Sequence, residues 1–105
     1  MDLANVKAEA TEDATTVEVS GEIDLSNSVS VQESIAQALQ DARVLVVDLQ
    51  NVRFIDSSGI KMLFDLNEML KNRRRELRIV APPGSHVRKV LELVALDEVG
   101  TVLDE

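Results

Sequence analysis

The chain has 105 residues, 45% of them hydrophobic, and nineteen acidic against eleven basic side chains give a net charge of −8. That length has room for one core, so a single domain over residues 1–105 is expected, and the absence of cysteine excludes disulfides, thiol catalysis and thiolate metal sites. The acidic balance, with two Phe and no Trp or Tyr, argues against direct nucleic-acid binding, and no apolar run approaches the ~18 residues of a membrane span, so a cytoplasmic protein without a membrane span is expected.

Val6, Ala8 and Ala10 fall on one side of an extended segment over residues 4–10, which suits an edge strand. Thr11-Glu12-Asp13-Ala14 is turn material. From Thr15 to Ser20, Val17 and Val19 alternate with Thr16, Glu18 and Ser20, which predicts the second arm of a hairpin that Gly21 closes. Glu22-Ile23-Asp24-Leu25 then leads to Ser26-Asn27-Ser28, where Asn27 or Ser28 is the expected cap of a first helix carrying Val31, Ile35, Ala38, Leu39 and Ala42. Val44-Leu45-Val46-Val47 lacks alternation, as a strand buried on both faces does; it is expected over about residues 43–49, with Asp48 ending the apolar run and a short connector after it.

Asp56, Ser57 and Ser58 have side-chain oxygens suited to the unpaired N–H groups of a helix start. The helix that follows puts Gly59, Met62, Leu63, Leu66, Met69 and Leu70 on one stripe, with Lys61, Asp65, Glu68 and Asn72 opposite and Phe64 at the edge, partly exposed. Arg73-Arg74-Arg75 meets the negative end of its dipole. A short strand over Leu77, Ile79 and Val80 stops at Pro82-Pro83-Gly84. Ser85 caps a third helix with Val87, Val90, Leu91 and Val94 inward, ending near Ala95 to Asp97, and Val99 to Leu103 either docks as a strand or frays. The order β-β-α-β-α-β-α predicts an α/β domain: a mixed sheet with an N-terminal hairpin and a parallel β-α-β unit, helices packed on the sheet. In such sheets the loops at the carboxyl ends of the strands tend to host sites, and the turn before Ser57 lies at that edge.

The supply of catalytic residues is poor. His86 is the single histidine and reads as a surface or helix-start residue; no metal or cofactor is expected. Neither serine sits in a G-x-S-x-G turn, and no phosphate-cradling glycine loop is present, so a serine hydrolase or nucleotide enzyme lacks its parts. Asp24 and Asp56 form a carboxylate pair only if their loops converge; the plainer reading is a turn residue and a helix cap. For Ser57 and Ser58 two readings stay open on residue type: caps, or a hydroxyl where added phosphate meets a helix dipole and a nearby carboxylate. Gly59 either allows close approach of the helix start or is a plain first-turn residue.

The run Asp48-Leu49-Gln50-Asn51-Val52-Arg53-Phe54-Ile55-Asp56-Ser57-Ser58-Gly59-Ile60 closely resembles the signature of the STAS-domain family, especially the bacterial anti-sigma factor antagonists. Ser20-Gly21-Glu22-Ile23-Asp24 and Leu91-Glu92-Leu93-Val94-Ala95-Leu96-Asp97-Glu98-Val99 resemble two further family segments in the same order and spacing. The resemblance implies a binding module and kinase substrate, not an enzyme. Unphosphorylated, such an antagonist binds an anti-sigma factor that is also a serine kinase and so frees sigma factor; phosphorylation of Ser57 switches it off, and a serine phosphatase resets it. It also implies that Asp24 and Asp56 border the site, with Ser58 as first-turn support, and that the partner face includes Gly59, Lys61 and Phe64. Lys61 departs from the family pattern, in which a small residue is common there; it either retunes partner choice or pairs with Asp65 at i+4. A STAS subunit that is not phosphorylated, serving a stress-signalling or lipid-transport complex, is the alternative.

Overall fold

The hairpin forms as β1 (Ala4–Ala10) paired antiparallel with β2 (Ala14–Ile23), Val6 opposite Val19 and Lys7 opposite Glu18. The computed structural model describes residues 4–11, 13–94 and 101–104. After the hairpin come α1 (Ser28–Leu39), β3 (Val44–Ile55), α2 (Ser57–Asn72), β4 (Glu76–Val80), α3 (His86–Val94) and β5 (Thr101–Leu103). The strands lie side by side in chain order, and every pair after β1–β2 is parallel. Each parallel step contains a helix, because returning to the same end of a sheet needs a crossover. The expected mixed sheet is therefore present, and the C-terminal segment docks: the Ala81 N–H donates to Leu103 O at 2.9 Å, and Arg88 Nη1 donates to Asp104 Oδ1 at 2.9 Å.

Strand register explains where the core sits. Thr15 and Val17 on β2 stand beside Leu45 and Val47 on β3, which stand beside Leu77 and Ile79 on β4, and all six are buried. Ile35, Leu39, Leu63, Leu66, Val87 and Leu91 from the helices join them in one aliphatic core, where each fully buried side chain contributes about 1.5–3 kcal/mol. Val44 and Val46, expected to be buried, are only half-buried. Their neighbours in register, Thr16 on β2 and Glu76 and Arg78 on β4, keep that face polar.

Two boundaries differ from the sequence reading for one reason. β3 does not stop near Asp48 but runs to Ile55, and β2 passes through Gly21 to Ile23 instead of ending there. The β2–β3 register shifts between Glu18 and Ser20 and again between Gly21 and Glu22, each time with an extra residue on β3. Gly21, at φ +95°, sits inside this irregular stretch. Asp48 accepts hydrogen bonds from Gln50 N at 3.0 Å and Gln50 Nε2 at 2.9 Å, so a polar sequence that reads as a connector is a bulged strand. β4 pairs with β3 only as far as Val80 opposite Asp48, which leaves the far half of β3 to pair with β2 alone.

Smaller corrections follow from helix ends. α1 stops at Leu39, with Gln40 at φ +48°, so Ala42 is buried from the loop and not from the helix. At the end of α2, Arg73 N and Arg75 N both donate to Leu70 O, and Arg75 Nη1 donates to Gln40 O at 2.6 Å, tying the end of α2 to that of α1. Ser85 behaves as read: its Oγ accepts the Arg88 N–H at 3.2 Å. The expected end of α3 near Ala95 to Asp97 lies outside the described residues. Val90 is half-buried and packs against the core, as expected, whereas Val94, expected inward, is 52% exposed.

Candidate functional site: the helix start at Ser57

Asp56 leaves β3 in an extended conformation and acts as the N-cap of α2. Its Oδ1 accepts the N–H groups of Ser58 at 2.8 Å and Gly59 at 3.2 Å, and its carbonyl accepts that of Ile60. Its Oδ2 accepts the Leu25 N–H at 3.2 Å, and its own N–H donates to Ile23 O at 3.1 Å. One residue thus caps a helix and stitches the β3–α2 turn to the β2–α1 loop.

Asp24 organises that second loop. Its Oδ1 accepts Ser26 N at 2.9 Å and Ser26 Oγ at 2.5 Å. Asn27, in the cap position of α1, makes no side-chain cap; its Oδ1 accepts Asp24 N at 3.0 Å and its Nδ2 donates to Glu22 O at 2.8 Å. The two acidic loops do converge, yet each carboxylate is engaged by backbone N–H groups. That is the arrangement of a turn residue and a cap, not of a general acid and base.

The two serines are separated by this geometry. Ser58, half-buried, offers its N–H to the cap and faces the α1 side, where it borders a 210 Å³ depression with Leu25, Val29, Lys61 and Asp65. Ser57 is exposed, and its hydroxyl makes no hydrogen bond among the described residues. It opens on the other side, onto a groove of about 330 Å³ between α2 and α3. Ile55, Ile60 and Val90 line that groove with Phe64 and Val94, and Lys61 stands at its edge. Successive helical residues point about 100° apart, which is why neighbouring hydroxyls serve different surfaces.

Gly59 is required by packing. A Cβ there would run into the Ile55 side chain and come within 2.9 Å of Ile23 Cγ2, so the close approach is to side chains of β2 and β3. Phe64 is half-buried at the groove, as its helix position predicts. Lys61 pairs with Asp65 at 2.9 Å.

Several surface residues had no signal in the periodicity. Leu25 is 80% and Val29 66% exposed, flanking the depression by Ser58. The Phe54 ring stacks on His86 with centroids 5.3 Å apart, and His86 Nε2 lies 3.3 Å from Ile55 O, a carbonyl on the half of β3 that lacks β4 beside it. An apolar residue next to a capping turn is the signal that could have found Leu25. Among the described residues no helix is long and apolar enough to cross a membrane, and no His, Asp and Glu cluster has the makings of a metal site.

Comparison with known proteins adds a family. The sequence profile of the STAS domain matches residues 5–104. The anti-sigma-F factor antagonist RsfB of Mycobacterium tuberculosis is 33% identical over 81 residues, which is 76% of this chain and 65% of the relative, so the match spans just under two thirds of that protein's length. An anti-sigma factor antagonist from Mycobacterium paratuberculosis superposes with a TM-score of 0.80 at 24% identity, covering 97% of this chain and 86% of its own. The Bacillus cell fate determinant SpoIIAA, in its phosphorylated form, superposes with a TM-score of 0.67 at 19% identity, covering 96% and 93%. At these identities the two structures establish a shared fold.

Proposed function

Because the chain belongs to the STAS domain family, we propose that it is a cytoplasmic anti-sigma factor antagonist switched by phosphorylation of Ser57. In this reading the unmodified protein binds an anti-sigma factor that is also a serine kinase, and sigma factor is released. Phosphorylation ends that binding, and a serine phosphatase restores it. The observation that carries the reading is the Ser57 hydroxyl: exposed, without a hydrogen-bond partner among the described residues, held on a capped helix start and opening on an apolar groove. The name of the M. tuberculosis relative and the phosphorylated form of SpoIIAA support it.

The mechanism needs no refolding. Phosphate adds roughly −1.5 to −2 charges at pH 7, placed between Asp56 and the groove edge. The helix N-terminus tolerates that charge locally, whereas a desolvated partner surface does not, and about 1.4 kcal/mol already changes affinity tenfold. Incubation with the cognate anti-sigma factor kinase and ATP, followed by intact mass, is the test. The wild type and Ser58→Ala should each gain one phosphate and Ser57→Ala none; equal gain in wild type and Ser57→Ala would remove Ser57 from the mechanism.

A further inference from the structure

We propose that Lys61 reads the modification of Ser57: on phosphorylation its ammonium leaves Asp65, pairs with the phosphate one helical turn back, and closes the mouth of the α2–α3 groove. This rests on the proposed modification of Ser57.

Ser57, Lys61 and Asp65 occupy positions i, i+4 and i+8 of α2, so the lysine has one acidic neighbour a turn ahead and a modifiable hydroxyl a turn behind. In the unmodified protein it chooses the only acid of the two, Asp65, at 2.9 Å. Both side chains of that pair are largely in solvent, 76% and 46% exposed, so the contact is weakly held and free to exchange. Lys61 borders both the α2–α3 groove and the depression on the α1 side, and it is the one basic residue lining either among the described residues. Arg53, 3.9 Å from Glu22, and Arg88, bound to Ala81 O and Asp104, line neither hollow.

Three physical effects favour the exchange. The phosphate carries more charge than a carboxylate and offers three strong acceptors. An acid placed four residues before a lysine is the better orientation on a helix, and the existing Lys61–Asp65 pair has the reverse order. The phosphate itself sits at the positive end of the helix dipole, which Asp65 does not reach. Once Lys61 moves, a phosphate–ammonium pair spans the groove mouth beside Phe64, and Asp65 is left uncompensated beside Leu25 and Val29. Both surfaces flanking Ser57 change without movement of the backbone.

The test installs phosphoserine at position 57 during translation, so no kinase is involved and its outcome is separate from that of the kinase assay. The second ionisation of the phosphate is followed by ³¹P NMR, and the Asp65 side-chain carboxyl by ¹³C NMR. Lys61→Gln should move the phosphate midpoint up by roughly 0.3 pH, a difference that shrinks in high salt. In phosphorylated wild type the Asp65 carboxyl signal should move to its position in Lys61→Gln. An unchanged phosphate midpoint in Lys61→Gln, or an Asp65 signal that does not respond to phosphorylation, would overturn the proposal.

Discussion

Asp56 Oδ2 accepts the Leu25 N–H at 3.2 Å, joining residues 31 apart in the chain at the carboxyl ends of β2 and β3. The same carboxylate caps α2 through Ser58 and Gly59, so one side chain ties the helix start that carries Ser57 to the β2–α1 loop. Asp56→Ala should therefore destabilise the protein by about 1–2 kcal/mol in urea denaturation. Amide exchange at Leu25, Ser58 and Gly59 should quicken. Asp56→Asn keeps one acceptor oxygen for the cap but turns an NH2 donor toward the Leu25 N–H, so exchange should stay slow at Ser58 and Gly59 and quicken at Leu25.

Gly59 sets two known effects against each other. Alanine favours a helix interior by about 0.8–1 kcal/mol over glycine, but here its methyl would meet Ile55 and Ile23 in the buried core. Overpacking costs about 1–3 kcal/mol, so Gly59→Ala should lower the melting temperature. An unchanged or raised value would show that β2 and β3 give way more easily than their packing implies.

Phe64 borders the α2–α3 groove while only half-buried, so its ring is available to a partner. Phe64→Ala should leave the far-ultraviolet circular dichroism intact and weaken binding of the proposed anti-sigma factor partner about tenfold or more, as truncating an aromatic anchor does. Equal affinity in a titration of wild type and variant would place the interface elsewhere.

Arg88 holds the C-terminal strand to the sheet from α3, donating to both Ala81 O and Asp104 Oδ1 at 2.9 Å. Arg88→Met keeps the apolar stem and removes both bonds. Hydrogen exchange at the Ala81 N–H, which donates to Leu103 O, should accelerate much more than exchange in β2 or β3.

The Arg78 guanidinium, 2.6 Å from Glu76, holds the Glu76 carboxyl below its ordinary value of 4.5 through a hydrogen bond, with its charge adding to the effect. A depressed carboxyl binds its proton less readily in the folded state, so this contribution to stability is present above pH 4.5 and fades as the pH falls through the lower folded value. NMR titration of Arg78→Gln should show the Glu76 midpoint moving up. Stability near neutral pH should scarcely change, because the pair is solvent-screened.

Local pattern carried much of this architecture. The alternation of Val17 and Val19, the stripe from Met62 to Leu70 and the capping residues at Asp56 and Ser85 mark elements that form where the sequence places them, because pleat, helical period and N-cap chemistry act within a few residues. The family signature from Asp48 to Ile60 was equally local. Hidden were the features that depend on what lies across the fold. The polar Gln50-Asn51 is strand because β2 accepts it through bulges, and Val94 is exposed where helical spacing placed it inward. Residue type could not rank Ser57 against Ser58; α1 on one side and α3 on the other give them different surroundings. The sequence by itself determined the elements and the capped turn, since those energies are nearest-neighbour. Only the tertiary structure decided that Asp24 and Asp56 share one corner and that Ser57 opens on a groove, because both depend on contacts between segments distant in the chain.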